Sequence, residues 1–228
     1  MAWTKATYLD RTRDWIDATN SDRWSDNFLY SLLDMAFRDE WQGMLNTNPY
    51  YRFAKRSVTT DSNGQFTFAD TNSGGGDTAQ NTYKIITLTD GANTVYRETD
   101  FRNVPLALSG TEDYLSYDRQ YYLLGESVQI LPQTASQSLQ VGVNWIPTSF
   151  DNLASSASTV DFPTGHENLL ALCAAAMALA KGGAESQAAG DLFALAQQRR
   201  EALLGDIARL TGNPTFLQFP DYAMMWGG

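Results

Sequence analysis

The spacing of the hydrophobic residues changes twice along this chain, and that change limits the fold more than any other feature. Before residue 49, apolar side chains recur at helical spacing, and they do so again after residue 164. Between Tyr50 and residue 148 the sequence is aromatic and β-branched, with a turn signal roughly every 8 to 12 residues. We therefore expect an α+β protein, mainly helical, in which an N-terminal helical pair and a C-terminal helical hairpin flank a β-rich insertion.

Two helices are predicted in the N-terminal part. The first covers residues 4–19 and places Tyr8, Trp15 and Ile16 in its buried stripe, with Thr12 between them. The second begins at Ser21 or Asp22, both good N-cap residues, and ends before Pro49. Its apolar stripe is wide, which predicts burial against more than one neighbour: Trp24, Phe28, Leu29, Leu32, Leu33, Met35, Ala36 and Phe37.

The β-rich insertion is expected to form a small sandwich or an open barrel. One hairpin is predicted to turn at Asn63-Gly64 and a second at the Asp-Gly-Ala-Asn sequence of residues 90–93, and three further short strands follow Arg119. Asp70 and Asn72 have the spacing of a calcium loop, but the twelfth position is Asn81 rather than Glu, so an EF-hand is excluded. The glycine-rich stretch of residues 70–81 is therefore interpreted as a mobile hairpin tip.

The C-terminal hairpin has clear start and stop signals. Thr164 and Glu167 have the spacing of a capping box, and Phe162 precedes it as a hydrophobic staple. The following helix is dense in alanine, including Ala171, Ala174, Ala175 and Ala178. These small residues permit close packing, either against the last helix (roughly residues 185–210) or, in addition, against an adjacent subunit. We assign the four alanines to subunit packing, with packing inside the chain as the alternative.

Composition excludes several classes of site. The net charge is −10, which argues against a surface that grips nucleic acid. A single cysteine excludes an intrachain disulfide, and a single histidine excludes multi-histidine metal sites. No signal peptide or membrane span is apparent, so folding in a reducing, aqueous compartment is expected. We expect no metal and no cofactor.

Cys173 and His166 do not form a convincing reactive pair. They lie seven residues apart, which is about 10 Å along a helix and too far for a direct hydrogen bond. Cys173 lies among alanines and leucines on a face that is expected to be buried, where a free thiol behaves as a small hydrophobic group. His166, near the helix start, is predicted to be a surface or interface residue.

The last segment of the sequence is unusually apolar. It follows a helix stop at residues 211–214 and contains two prolines, so a long helix is excluded. This segment either folds back onto the chain's own core or anchors another chain, because aromatic and methionine side chains are common at binding hot spots. The candidate anchors are Phe216, Leu217, Phe219, Tyr222, Met224, Met225 and Trp226.

The order of these features resembles the head-to-tail connector, or adaptor, proteins of tailed bacteriophages. The similarity lies in a Tyr-Leu-Leu-Gly strand (122–125), an Ile-Leu-Pro strand (130–132) and a Trp-Ile-Pro sequence (145–147) that ends the sheet. It continues through Asp-Phe-Pro (161–163), the alanine-rich helix and the long last helix. The pattern spans most of the chain.

The resemblance implies a structural virion protein of the neck, made in the host bacterial cytoplasm. It implies a ring, usually of twelve subunits, that docks beneath the portal protein, extends the DNA channel and offers a platform to the tail or its terminator. On this interpretation residues 1–48 and 149–212 pack as one helical domain, residues 49–148 are an insertion, and residues 213–228 dock on the portal. DNA passes without sequence-specific binding, and no membrane is involved.

Two other hypotheses stay open. In the first, the chain is a β-rich binding module on a helical scaffold, such as a carbohydrate binder. Its stacking residues are then Tyr50, Tyr51, Tyr121 and Tyr122. Alternatively it is an enzyme with Cys173 as nucleophile, although the sequence carries no Gly-x-Ser-x-Gly motif and selects no pair of carboxylates. We expect no enzymatic activity.

Overall fold

The structure, a computed structural model, describes residues 2–16, 24–90, 94–100, 119–182 and 186–210. Within these ranges the fold is α+β, and helices from both ends of the chain flank the strands, as predicted. The elements in chain order are α1 (Lys5–Trp15), α2 (Asp26–Thr47), β1 (Phe53–Thr59), β2 (Gln65–Thr67), β3 (Gln80–Asp90), β4 (Arg97–Glu98), β5 (Gln120–Leu124), β6 (Ser127–Leu131), β7 (Ser138–Pro147), α3 (Asn168–Gly182) and α4 (Ser186–Leu210).

The alanine-rich helix α3 is the centre of the helical part. It contacts α1, α2 and α4, and Leu169 to Ala176 are buried without interruption. A helix that is apolar on every side is stable only when it is surrounded, and the small side chains let three neighbouring helices approach it. One hydrophobic core therefore contains residues from both ends of the chain, with Trp41, Phe37 and Phe150 among its largest members.

The predicted helix boundaries and stripes need three corrections in the N-terminal part. Helix α2 begins at Asp26 rather than near residue 21, because the hydroxyl of Ser25 accepts a hydrogen bond from the Phe28 amide and caps the helix. Trp15 is exposed, whereas the other members of its predicted stripe, Tyr8, Thr12 and Ile16, are buried as expected. Met35 is also exposed, because the neighbouring helices cover only part of the wide apolar face of α2.

The predicted capping box is absent, because α3 begins one residue after Glu167. The chain first makes a turn in which the His166 amide donates to the Pro163 carbonyl, and Gly165 adopts a φ of 91°. The buried Glu167 carboxylate accepts from the Gly165 amide at 2.7 Å rather than from the Thr164 amide. Phe162 is buried in the helical core.

The insertion forms two sheets that share one core, as in the predicted sandwich. The sheets have the strand orders β1-β7-β3 and β2-β6-β5-β4, and β7 lies in the centre of the first sheet with a partner on each side. Val58, Leu88 and Val141 of the first sheet and Phe66 and Ile130 of the second belong to this core.

One predicted hairpin is wrong in its pairing and the other is partly right. The chain does turn at Asn63-Gly64, where Gly64 has a φ of 74°, but β1 then pairs with β7 while β2 pairs with β6. At the second site β3 continues into a reversal in which the Tyr96 amide donates to the Leu88 carbonyl at 2.8 Å. Among the described residues, none of the helices combines the length and apolarity needed to span a membrane.

Candidate functional site

A cleft lies where the insertion meets the helical part. Its volume is about 780 Å³, which is within the range of small-ligand pockets. The end of β7, the segment that leads to α3 and the last turns of α4 form its walls. Its lining includes Tyr51, Arg52, Asp77, Trp145, Pro147, Asp161, Phe162, Pro163, His166, Leu203, Asp206, Ile207 and Leu210.

Arg52 is the most constrained residue of the cleft. Its backbone is left-handed, with a φ of 56°, a conformation that costs a non-glycine residue about 1–3 kcal/mol. The guanidinium lies 4.9 Å from the ring of Trp145 and 5.6 Å from that of Trp41, and it donates to Asp161 at 2.6 Å. Cation–π contacts and an ion pair together hold this charge between the insertion and the helical core.

The glycine-rich stretch forms the opposite rim of the cleft and is not a free hairpin tip. Asp77 accepts hydrogen bonds from the Ser158 hydroxyl and from the Ala154 amide, and these bonds lower the pKa of its carboxyl. The Thr148 hydroxyl donates to the Gly76 carbonyl at 2.8 Å. These bonds join the stretch to residues 148–158, which lead from β7 towards α3, so the stretch closes the junction instead of projecting from the insertion.

His166 lies in the cleft and pairs with a residue of α4. Its Nε2 is 3.1 Å from the Asp206 carboxylate, and the imidazole is largely covered. The pair joins the segment before α3 to the last turns of α4. His166 therefore faces the cleft and α4, and its partner is not Cys173.

Cys173 lies in a separate, buried cluster between α2, α3 and α4. Its Sγ is 3.8 Å from Oε1 of Glu40, which is 1% exposed and also accepts from Nε of Arg200 at 2.8 Å. Burial, followed by the charge of Glu40, raises the pKa of the Cys173 thiol to about 12. The thiol is thus protonated at neutral pH and is a poor nucleophile, which agrees with the small hydrophobic role predicted for it.

The four alanines assigned to subunit packing lie inside the chain. Ala171, Ala174, Ala175 and Ala178 have no exposed surface, because the other helices cover α3 on all sides. These four side chains therefore pack inside the chain, which is the alternative interpretation given above.

The aromatic residues considered for carbohydrate stacking are mostly covered. Tyr121 and Tyr122 are buried, and Tyr51 stacks on the indole of Trp41 with 5.8 Å between ring centroids. Tyr50 is exposed and lies beside Phe53. The apolar anchors of residues 213–228 lie outside the described residues.

Sequence reasoning missed the cleft and the role of Arg52. A left-handed arginine has no sequence signature, and its partners Trp41, Trp145 and Asp161 are separated by up to 120 residues. The one available signal is the Trp-Ile-Pro sequence at the end of β7. A scan of protein-family models and a search of curated proteins both gave no match to this chain.

Proposed function

We propose that this chain is a structural virion protein, a head-to-tail adaptor that forms a ring beneath the portal and extends the DNA channel. The observation that carries the proposal is the common core of the helices from the two ends of the chain, with the insertion outside it. The resemblance implies this division, in which the helices build the ring wall. Residues 213–228 dock on the portal in this proposal.

With the alanines of α3 inside the chain, the proposal places the contact between subunits on α4. Gly190, Ala194 and Gly205 are exposed and fall on one side of this helix. A Cβ atom at either glycine would meet nothing within 4 Å. Glycine inside a helix costs about 1 kcal/mol relative to alanine. Glycine at these two positions allows a second helix to approach closely, which offsets this cost. The two glycines therefore support α4 as the surface between subunits.

The charge of the protein suits a DNA conduit. DNA and a chain of net charge −10 repel each other, so a channel wall of this composition does not retain the polyanion. A lining of lysine and arginine would add attraction and a salt-dependent drag. This point supports passage of DNA and not recognition of it.

Native mass spectrometry of the protein with purified portal protein tests the proposal. We expect a ring, most simply of twelve subunits, bound to the portal. The double variant Phe219→Ala/Trp226→Ala should lose portal binding, because it removes two apolar anchors. Leu124→Ala, which removes an exposed apolar side chain from β5, is the matched control and should bind as the parent does.

The competing outcomes are distinct. A chain that stays monomeric and binds no portal, with or without the anchor substitutions, contradicts the proposal. Portal binding that survives in the Phe219→Ala/Trp226→Ala variant contradicts the role of the last segment and leaves the ring as the remaining part of the proposal.

A further inference from the structure

The described part of the chain ends in the wall of the cleft. Leu210 is the last residue of α4, is 70% exposed and lines the cleft together with Leu203 and Ile207 from the preceding turns. The eighteen residues that follow α4 in the sequence are therefore joined to the chain at the wall of the cleft.

The cleft has apolar lining residues beside its charged ones. Trp145, Pro147, Phe162 and Pro163 line it together with Leu203, Ile207 and Leu210 of α4, and of the large apolar side chains among them Leu210 is the exposed one. The segment from residue 213 to residue 226 carries seven large apolar side chains and one charged side chain, Asp221. Complete burial of one large apolar side chain stabilises the docked state by about 1.5–3 kcal/mol.

We infer that, in the free protein, residues 213–226 dock in the cleft of their own chain. The attachment point favours this occupant over any other. Eight residues of extended chain reach about 27 Å, so the segment covers the cleft without leaving its rim. A short tether of this kind holds a segment at a millimolar effective concentration, which a second copy does not reach in dilute solution.

The inference does not depend on the proposed function. If the same segment also docks on the portal, the two sites compete, and the portal has to displace it from the cleft. The exposed Leu210 then acts as the first residue of a segment that changes its partner on assembly. Docking within the chain is measurable without any portal protein.

Disulfide trapping in the free, full-length protein tests the inference. The pair Thr164→Cys/Gln218→Cys places one thiol on an exposed lining residue and one in the segment, and it leaves the apolar anchors intact. The control pair is Gln198→Cys/Gln218→Cys. Gln198 is exposed on α4, about 18 Å from Leu210 by helical rise, and does not line the cleft. The native Cys173 is buried and protonated, so it does not compete.

We expect the cleft pair to close within one chain about tenfold faster than the control pair, as the higher local concentration of a docked segment requires. Mass spectrometry of the unreduced peptides identifies the bond. Adding Phe219→Ala and Trp226→Ala to the cleft pair should bring its rate down to that of the control. Equal rates for the two pairs overturn the inference. A disulfide between two chains also overturns it, and identifies a second copy as the occupant.

Discussion

The ion pair of the buried Glu40 with the partly exposed Arg200 joins α2 to α4, and its loss is the sharpest test of the helical packing. Oε1 of Glu40 accepts two hydrogen bonds from the Arg200 guanidinium and lies 3.8 Å from Cys173. Its other oxygen, Oε2, has no hydrogen-bond partner among the described residues. Arg200 therefore provides most of the compensation for burying this carboxylate.

Replacing the arginine leaves the carboxylate buried and unpaired. Breaking a buried ion pair in this way costs about 3–5 kcal/mol. The Arg200 side chain is 39% exposed, so water already screens part of the attraction, and we reduce the expected cost of Arg200→Met to about 2–4 kcal/mol. The double variant Glu40→Met/Arg200→Met removes the buried charge as well, and should be more stable than Arg200→Met alone.

Urea denaturation followed by tryptophan fluorescence measures these differences. The matched control is Arg199→Met at the adjacent, exposed position, where a change within about 0.5 kcal/mol is expected. The coupling energy between the two sites should be about 1–3 kcal/mol in the double-variant cycle. If Arg200→Met behaves like Arg199→Met, or if the double variant loses the sum of the two single effects, the pair does not compensate the buried charge and the reasoning fails.

Two further predictions concern stability. The folded pKa of Cys173, about 12, lies above the ordinary value of a thiol, so the stability it contributes is complete below about pH 9 and is lost as the pH rises towards 12. Between about pH 9 and 12 the free energy of unfolding should therefore fall less steeply with pH in Cys173→Ala than in the parent, by up to about 1.4 kcal/mol per pH unit. Denaturation at several pH values measures this slope, and equal slopes in the two proteins would contradict the assignment. Gly142→Ala should cost about 1–3 kcal/mol, because the new Cβ would meet the Thr87 hydroxyl and lie 2.7 Å from the Phe53 ring. Thermal unfolding should show a lower midpoint for this variant, and no change would mean that both neighbours move aside freely.

Features that depend on neighbouring residues were predictable from the sequence. The buried helix α3 follows from an alanine- and leucine-rich run without a polar face, and β5, β6 and β7 follow from short apolar runs between turns. The turn at Asn63-Gly64 was also visible, because it depends on local backbone chemistry.

Features that depend on distant partners were not predictable in this way. The pairing of β1 with β7 brings together strands about 85 residues apart, whereas the hairpin pattern pointed to β2. Met35 and Trp15 carry no sequence mark that separates them from the buried members of their stripes, since their exposure depends on where the neighbouring helices end. The cleft depends on distant partners as well, because its walls come from six separate parts of the chain.

The two hydrophobic cores explain why the cleft lies where it does. The helical core and the insertion core share no buried member, and polar bonds such as those of Asp77 and Arg52 connect the two parts at the rim. Ile146 of β7 and Tyr51 also pack against the helical core, and Trp145 and Phe162 are buried although they line the cleft. A segment that fills the cleft contacts both parts at once, so its docking would add apolar packing to this junction. Substitutions in the segment should therefore weaken the connection between insertion and helices, as well as the binding of a partner.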